Sequence, residues 1–244
     1  MAEILFVIAG LLGSFAFYEA YWTNIDSGRM QAQISDDLDE RWQNPRGLST
    51  PELGEAFARM YIPAFGSDFS FAIVEGTSDD DLLAGPGRYT DTQMPGEQGN
   101  FAVAGHRVGK GAPFNDLGNL EVCDAVVVET VTTWDVYRVL PSGVTGQART
   151  DAAEQCLTPE QAQRAGTGDY AHVDGLHITT PTDIGVIDAL PGTDSYVSED
   201  LEGLITLTTC HPKFSNAERM IVHGMLSESI PKTPGEVPSV FQEV

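Results

Sequence analysis

Two strand-like runs near the end of the chain frame one cysteine, and this arrangement limits the possible folds more than any other feature of the sequence. Residues 204–209 (L-I-T-L-T-T) are apolar and β-branched, which predicts a buried strand with Cys210 at its tip. Pro212 cannot continue a hydrogen-bond ladder, and residues 219–226 form a second strand-like run. The spacing favours a hairpin in which Cys210 and Arg219 share one cleft.

A cysteine in such a cleft acts as a nucleophile when its surroundings supply a base and an oxyanion donor. The thiolate is the attacking form, and the carbonyl that it attacks develops a negative charge that needs a hydrogen-bond donor. Arg219 is the candidate donor. His106, in the run N-F-A-V-A-G-H-R at residues 100–107, is the candidate base. Two strands that each end in a catalytic residue type form a constellation, whereas either alone is a weak signal.

These motifs resemble those of the sortase family of cell-wall cysteine transpeptidases. The likeness is carried by T-L-T-T-C with a downstream arginine, and by the upstream A-G-H-R. The string T-C-H-P-K-F-S-N-A-E-R-M-I-V-H-G, with G-P-G-R-Y and P-G-E-Q-G-N-F-A-V-A-G-H-R before it, is similar to the class E sortases of high-GC Gram-positive bacteria. The resemblance implies an all-β fold, a closed barrel of about eight strands with short helices.

The same resemblance implies a transpeptidase, formally of hydrolase type, that cleaves a C-terminal LPXTG-like sorting signal between Thr and Gly. Cys210 would form the acyl-thioester, His106 would move the protons, and Arg219 would stabilise the oxyanion. The partners would be surface proteins that bear the signal and a peptidoglycan precursor amine. Class E similarity favours LAXTG over LPXTG, and neither a metal nor an organic cofactor is expected. The candidate substrate-binding residues are Tyr89, Thr208 and Thr209.

Two other histidines are rival bases. His211 is adjacent to Cys210 and points to the opposite face of a continued strand. His223 lies four residues after Arg219, so the two share a strand face and His223 is a candidate supporting residue. The alternative function is a membrane-tethered module that captures sorting peptides without turnover.

The composition limits which partners and which metal sites are plausible. The 244-residue chain carries a formal charge of −23, which argues against nucleic acid or anionic lipid as a binding partner, because both would repel it. The run H-V-D-G-L-H at residues 172–177 lacks a helical spacing and a fourth ligand, so no metal site is expected there. The three cysteines include no C-x-x-C pair. A Cys123–Cys156 disulfide is one hypothesis, and two unpaired thiols are the other.

The first part of the chain predicts a membrane anchor followed by a polar helix. Residues 4–22 are apolar apart from one charge, and at ~1.5 Å per residue such a helix spans most of a ~30 Å hydrocarbon core. The resemblance implies a single-pass protein with its catalytic domain extracytoplasmic. The predicted units are a transmembrane anchor (1–23), a polar helical spacer and linker (24–54), the catalytic domain (55–230) and a loose C-terminal tail (231–244).

Three local patterns complete the prediction. Met30, Ile34 and Leu38 form one narrow apolar stripe on the spacer helix. A short helix over residues 159–165 begins with a capping box between Thr158 and Gln161. Residues 185–190 are predicted as a strand.

Overall fold

The structure is a computed structural model. In the residues that it describes, the main elements are one closed β-sheet and four α-helices. The described residues are 2–43, 50–193, 196–198 and 200–243, without the side chains of residues 2, 3, 12 and 15–23. The helices are α1 (Ala2–Gln43), α2 (Asp79–Ala84), α3 (Gln147–Ala153) and α4 (Pro159–Gly166). The strands are β1 (Ala56–Tyr61), β2 (Ser70–Glu75), β3 (Gly87–Arg88), β4 (Gly99–Ala104), β5 (Ala125–Glu129), β6 (Thr133–Val139), β7 (Leu176–Thr179), β8 (Gly203–His211) and β9 (Glu218–Pro231).

The sheet closes because β9 is long enough to pair with two different parts of it. Its first half pairs with β8, and its second half pairs with β6, which completes a ring in the order β6-β5-β1-β2-β3-β4-β8-β9. The short strand β7 adds to the first half of β9 outside this ring. The prediction of a closed barrel of about eight strands is therefore confirmed.

Alternation along the strands fills the barrel with apolar side chains. Side chains on a strand point to opposite faces in turn, so every second residue of β8 enters the interior. Ile205 and Leu207 do so and are fully buried, and Met220 and Val222 of β9 join them. The residues between them, including Thr206, project from the outer face of the sheet.

The second half of α1 packs against the barrel. Leu38 is 1% exposed and lies in an apolar cluster with residues of β1 and β2. The amide of Gln31 donates to the carbonyls of Ala84 and Ala72 and accepts from the Ala72 N–H. The predicted stripe, Met30, Ile34 and Leu38, lies in this contact. The predicted spacer is therefore part of the folded unit rather than a free connection.

The predicted membrane anchor falls largely on side chains outside the described residues. Among those that are described, no helix is both long enough and apolar enough to cross a bilayer. Residues 44–49 of the predicted linker also lie outside the described residues.

The insertion between β6 and β7 is a packed unit joined to the barrel by a disulfide. Cys123 and Cys156 are bonded, with their Cα atoms 5.7 Å apart, which confirms the disulfide hypothesis over two unpaired thiols. Inside the unit the guanidinium of Arg149 is buried and donates to three backbone carbonyls. α4 begins with the predicted reciprocal bonds between Thr158 and Gln161.

Residues 185–190 do not form the predicted strand. Instead, residues 185–187 belong to a 3₁₀ turn, Ile184–Ile187. Nδ2 of the buried Asn100 donates to the carbonyls of Val186 and Asp188. Because the Asn100 side chain hydrogen-bonds to these two carbonyls, they do not form ladder hydrogen bonds with a neighbouring strand.

The C-terminal tail also differs from its prediction, because it packs on the barrel. A 3₁₀ turn, Ser239–Gln242, buries Val240. The ring of Phe241 lies edge-on to the rings of Tyr61 and Trp134, with centroids 5.4 and 5.8 Å away. Burial of Val240 and the ring contacts of Phe241 stabilise the packed tail, although the prolines around them favour a loose segment.

Candidate active site

The hairpin of β8 and β9 brings the predicted nucleophile and the predicted oxyanion donor together. Cys210 is directly opposite Arg219 in the antiparallel ladder, so the hairpin predicted from the sequence is confirmed. Cys210 is half-buried, and its thiol is the free one among the three cysteines. By strand alternation it projects from the outer face, opposite the barrel core.

A parallel pairing places His106 beside the same strand end. β4 and β8 run in register, with Ala104 opposite Thr208. The N–H of Gly105 donates to the Thr208 carbonyl, which continues the ladder beyond β4. His106 lies two residues beyond the Ala104 pair and Cys210 lies two residues beyond Thr208, so both residues are at the same end of this strand pair. The segment that follows β4 and the paired strands β8 and β9 thus bring His106, Cys210 and Arg219 to one end of the sheet, where they form a row.

The imidazole of His106 is half-buried and has an unpaired nitrogen. Its Nε2 is buried and makes no hydrogen bond within the described part of the chain. Burial lowers the pKa of His106, the positive charge of Lys110 lowers it further, and the carboxylate of Asp79 acts in the opposite direction. The arrangement favours a neutral imidazole with a free nitrogen, as a general base requires.

The side chain of Arg219 is anchored by the loop that leads into β9. Its Nη1 donates to the carbonyls of Asn216 and Glu218, at 3.1 and 3.0 Å. These bonds fix one corner of a planar group that carries five N–H donors. Arg219 thus brings a half-buried, positively charged fork to the Cys210 end of the row.

Tyr89 and Thr208 lie side by side on the outer face of the sheet. Their hydroxyl oxygens are 2.9 Å apart, and Thr208 is two residues before Cys210 on the same strand face. Tyr89 follows β3, which a buried two-bond ion pair between Arg88 and Glu75 holds in place. Two of the predicted substrate-binding residues therefore adjoin the row.

Thr209 does not share this position. It is buried to the same degree as Thr208, but it alternates to the barrel interior, and its hydroxyl donates to the carbonyl of Gly105 at 2.7 Å. We therefore correct its predicted role. Thr209 connects β8 to the residue before His106 instead of facing a substrate.

His211 lies on the opposite face from Cys210, as its position in the strand predicts. Its Nδ1 contacts Nη1 of Arg107, and its Nε2 is 3.9 Å from a carboxylate oxygen of Glu218. Both ring nitrogens are thus directed to other side chains.

His223 shares a strand face with Arg219 but is distant along the ladder. It pairs with Thr206, four residues before Cys210, and its Nδ1 is 2.8 Å from the Thr206 hydroxyl. Complete burial lowers the pKa of His223 to about 3, and nearby His177 adds to this effect. His223 is therefore a buried packing group and not a base for the thiol.

The structure adds one residue to which the sequence patterns assign no role. Arg107 directly follows His106, and its Nη1 donates to the carbonyl of Cys210 at 3.4 Å. Its position directly after His106 is the one sequence feature that could have suggested this contact, because adjacent side chains at a strand end point to opposite faces.

The histidines and the aspartate of the H-V-D-G-L-H run do not assemble a metal site. His172, Asp174 and His177 line one small pocket with His223. Within the described ranges, no three His, Cys, Asp or Glu side chains are placed to hold a metal ion.

Comparison with known proteins gives one consistent result. The model of the sortase domain matches residues 60–227. Sortase SrtE1 of Streptomyces coelicolor is 29% identical over 97% of this chain, which spans 59% of the length of that relative. A solved SrtF sortase from Corynebacterium diphtheriae is 66% identical, with a TM-score of 0.80 over 82% of this chain and 98% of that one.

A further solved relative has an occupied site. The structure of sortase E1 from Streptomyces coelicolor with a tripeptide in the active site is 28% identical, with a TM-score of 0.57 over 78% of this chain and 99% of that chain. The sequence motifs, the closed barrel and these matches agree. The chain belongs to the sortase family of transpeptidases and is similar to its class E members.

Proposed function

We propose that this sortase transfers the acyl part of a sorting signal through Cys210, with His106 as the acid and base and Arg219 as the oxyanion donor. The observation that supports the proposal is the row: the β8–β9 ladder pairs Cys210 with Arg219, and the parallel β4–β8 ladder ends two residues before His106. A nucleophile, a base and a donor within one row meet the geometric needs of acyl transfer.

In the first half-reaction the Cys210 sulfur attacks the carbonyl carbon of the signal threonine, and His106 takes the thiol proton. The carbonyl oxygen becomes an oxyanion that accepts N–H bonds from Arg219. The carbon–nitrogen bond to glycine then breaks, and His106 returns its proton to the leaving amine. A thioester on Cys210 remains.

In the second half-reaction an amine attacks the thioester carbon. His106 takes a proton from that amine, and Arg219 again stabilises the oxyanion. The carbon–sulfur bond breaks and the thiol is restored. Without a competing amine, water completes the same sequence as a slow hydrolysis.

The proposed substrate is a surface protein with a C-terminal LAXTG or LPXTG signal, and the proposed acceptor is an amine of a peptidoglycan precursor. Class E similarity favours LAXTG. Tyr89 and Thr208 are proposed substrate contacts, because both lie on the Cys210 face next to the row. The tripeptide in the active site of the Streptomyces coelicolor relative is consistent with a peptide groove in this family.

We also propose that the chain is anchored by residues 1–23, with its catalytic domain outside the membrane. The apolar run at residues 4–22 supports the anchor. The Cys123–Cys156 disulfide supports the location, since such bonds persist in oxidising compartments and are rare in the cytosol.

Incubation with an LAXTG peptide and hydroxylamine tests the reaction. Hydroxylamine intercepts a thioester, so the expected product is the hydroxamate of the threonine carboxyl, formed by wild type and not by Cys210→Ala. A protein that only captures the peptide would bind it and give no hydroxamate, which would contradict the proposal. A scrambled peptide of the same composition is the control.

A further inference from the structure

Arg107 holds the two strand ends that carry the base and the nucleophile. It directly follows His106, three residues beyond the end of β4, and its Nη1 donates to the backbone carbonyl of Cys210 at 3.4 Å. The same nitrogen contacts Nδ1 of His211, the next residue along β8. One guanidinium therefore connects the chain after the base with both residues at the tip of β8.

This guanidinium lies beneath the row, on the side of the barrel core. Its Nε is buried and makes no hydrogen bond within the described ranges. A side-chain carbon added at Gly118 would lie 4.0 Å from Nη2 and 3.0 Å from the methyl of Met220. Nη2 of Arg107 and the methyl of Met220 therefore both lie near Gly118, and Met220 belongs to the barrel core.

The contact with His211 also fixes that histidine. A guanidinium donates and does not accept, so Nδ1 of His211 is the acceptor and its ring proton is on Nε2. Nε2 is the nitrogen that approaches Glu218, at 3.9 Å. His211 is thereby held away from the Cys210 thiol.

We propose that Arg107 is a positioning residue for acyl transfer. By holding the Cys210 peptide to the chain that follows His106, it sets the separation and relative height of base and nucleophile, and it keeps His211 out of the proton transfer. The inference rests on the proposed function for its kinetic consequence. Misplacement of reacting groups by about 1 Å costs about 10²-fold in rate, so a contact at this point has a measurable effect.

Two substitutions in the full chain separate positioning from packing. Arg107→Met keeps a long side chain but removes every donor, and Arg107→Lys returns one donor group. We expect kcat to fall about 10- to 100-fold in Arg107→Met and by an intermediate factor in Arg107→Lys. KM for the sorting peptide should stay within about threefold in both, because Arg107 does not face the substrate.

Arg138→Met is the matched control. Arg138 also donates from Nη1 to the backbone carbonyl of a cysteine, Cys123 at 3.2 Å, but at a distance from the row. The Arg138→Met variant should retain the wild-type kcat even if its melting temperature falls. An equal loss of kcat in Arg138→Met, or a kcat of Arg107→Met within threefold of wild type, would overturn the proposal. If Arg107→Met does not fold, the kcat and KM of Arg107→Lys decide in the same way.

A second readout separates this inference from the proposed function. Nitrogen-15 NMR of wild type should show the His211 ring with its proton on Nε2, and Arg107→Met should lose this preference. If wild type turns over no sorting peptide, the proposed function fails, and the NMR result still decides whether Arg107 holds His211. An unchanged His211 tautomer in Arg107→Met would overturn that part.

Discussion

At the scale of single residues, the two ends of the catalytic row have different surroundings. His106 is half-buried with a free buried nitrogen, whereas Arg219 is fixed to loop carbonyls by one nitrogen. A base needs freedom to exchange a proton with sulfur and with the substrate, and an oxyanion donor needs a fixed direction. These contrasting environments therefore match the proposed roles.

Arg219→Lys tests the donor. Lysine offers a mobile, strongly hydrated point charge in place of a planar fork, so turnover should fall about 10²- to 10³-fold, with little change in KM. The melting temperature should barely move, because the Arg219 bonds go to exposed carbonyls at the start of β9 and just before it. Turnover within a few-fold of wild type, or a large fall in melting temperature with an intact rate per folded molecule, would remove Arg219 from the catalytic set.

The charge of Lys110 provides a test of the base. Because this charge lowers the pKa of His106, Lys110→Met should raise that pKa, and Asp79→Asn should lower it. Acylation by a neutral base is lost as pH falls through its pKa, so the acid limb of kcat/KM should move to higher pH in Lys110→Met and to lower pH in Asp79→Asn. NMR titration of the His106 ring measures the shift directly.

Lys213→Met removes the same charge from the loop after Cys210 and controls for net charge. Equal shifts in Lys110→Met and Lys213→Met would show that the effect is not local to the His106 loop. Shifts of the opposite sign would contradict the assigned environment.

At the scale of elements, α1 stabilises the barrel through a few well-packed positions. Leu38 is 1% exposed in a cluster with β1 and β2, whereas Ile25, on the same helix, is 39% exposed. Leu38→Ala should therefore cost about 2–5 kcal/mol of unfolding free energy, the usual scale for a buried leucine. Ile25→Ala should cost much less.

Thermal and denaturant unfolding of both variants, in a chain without residues 1–23, measure this difference. The rate per folded molecule should not change in either variant, since neither residue is in the row. Equal costs for Leu38→Ala and Ile25→Ala would mean that the helix does not pack as described.

At the scale of the whole molecule, the features that the sequence predicted are those determined by local pattern. The apolar, β-branched run at residues 204–209, Pro212 and the second strand-like run predicted the β8–β9 hairpin, and the Thr158–Gln161 spacing predicted the cap of α4. Other features depend on partners far along the chain. The turn at residues 184–187 depends on Asn100, which no local pattern around the turn reveals.

For the candidate site, too, the sequence predicted the features that follow from local patterns and missed those that depend on distant strands. Cys210 and His106 each end an apolar run, and these two runs together with the sortase-like motifs were enough to nominate them. The role of Thr209 was wrong because the face that it occupies follows from the register of β8 against the barrel core. The contacts of Arg107 depend on the pairing of β4 with β8, two strands that are far apart in the sequence.

The buried His223 predicts how the whole fold responds to acid. Its pKa is about 3 in the folded protein and about 6.5 in the unfolded chain, so the unfolded state binds more protons between these values. Stability should therefore fall as pH decreases from about 6.5, by up to about 1.4 kcal/mol per unit.

His223→Asn tests this, because asparagine keeps a donor for Thr206 and cannot titrate. Urea unfolding between pH 7 and pH 5 should show a clearly smaller slope in His223→Asn than in wild type. The slope should not vanish, because the lowered pKa of His106 acts in the same direction. An unchanged slope would contradict the assigned environment of His223.

The central claim is that Cys210 carries the acyl group, and intact-mass spectrometry of the protein after incubation with an LAXTG peptide tests it most directly. Without an added amine, the mass of wild type should rise by that of the peptide portion up to threonine, and peptide mapping should locate the addition on Cys210. An added amine should remove it, and Cys210→Ala should never acquire it. Peptide cleavage that continues in Cys210→Ala, or an adduct on any other residue, would contradict the account.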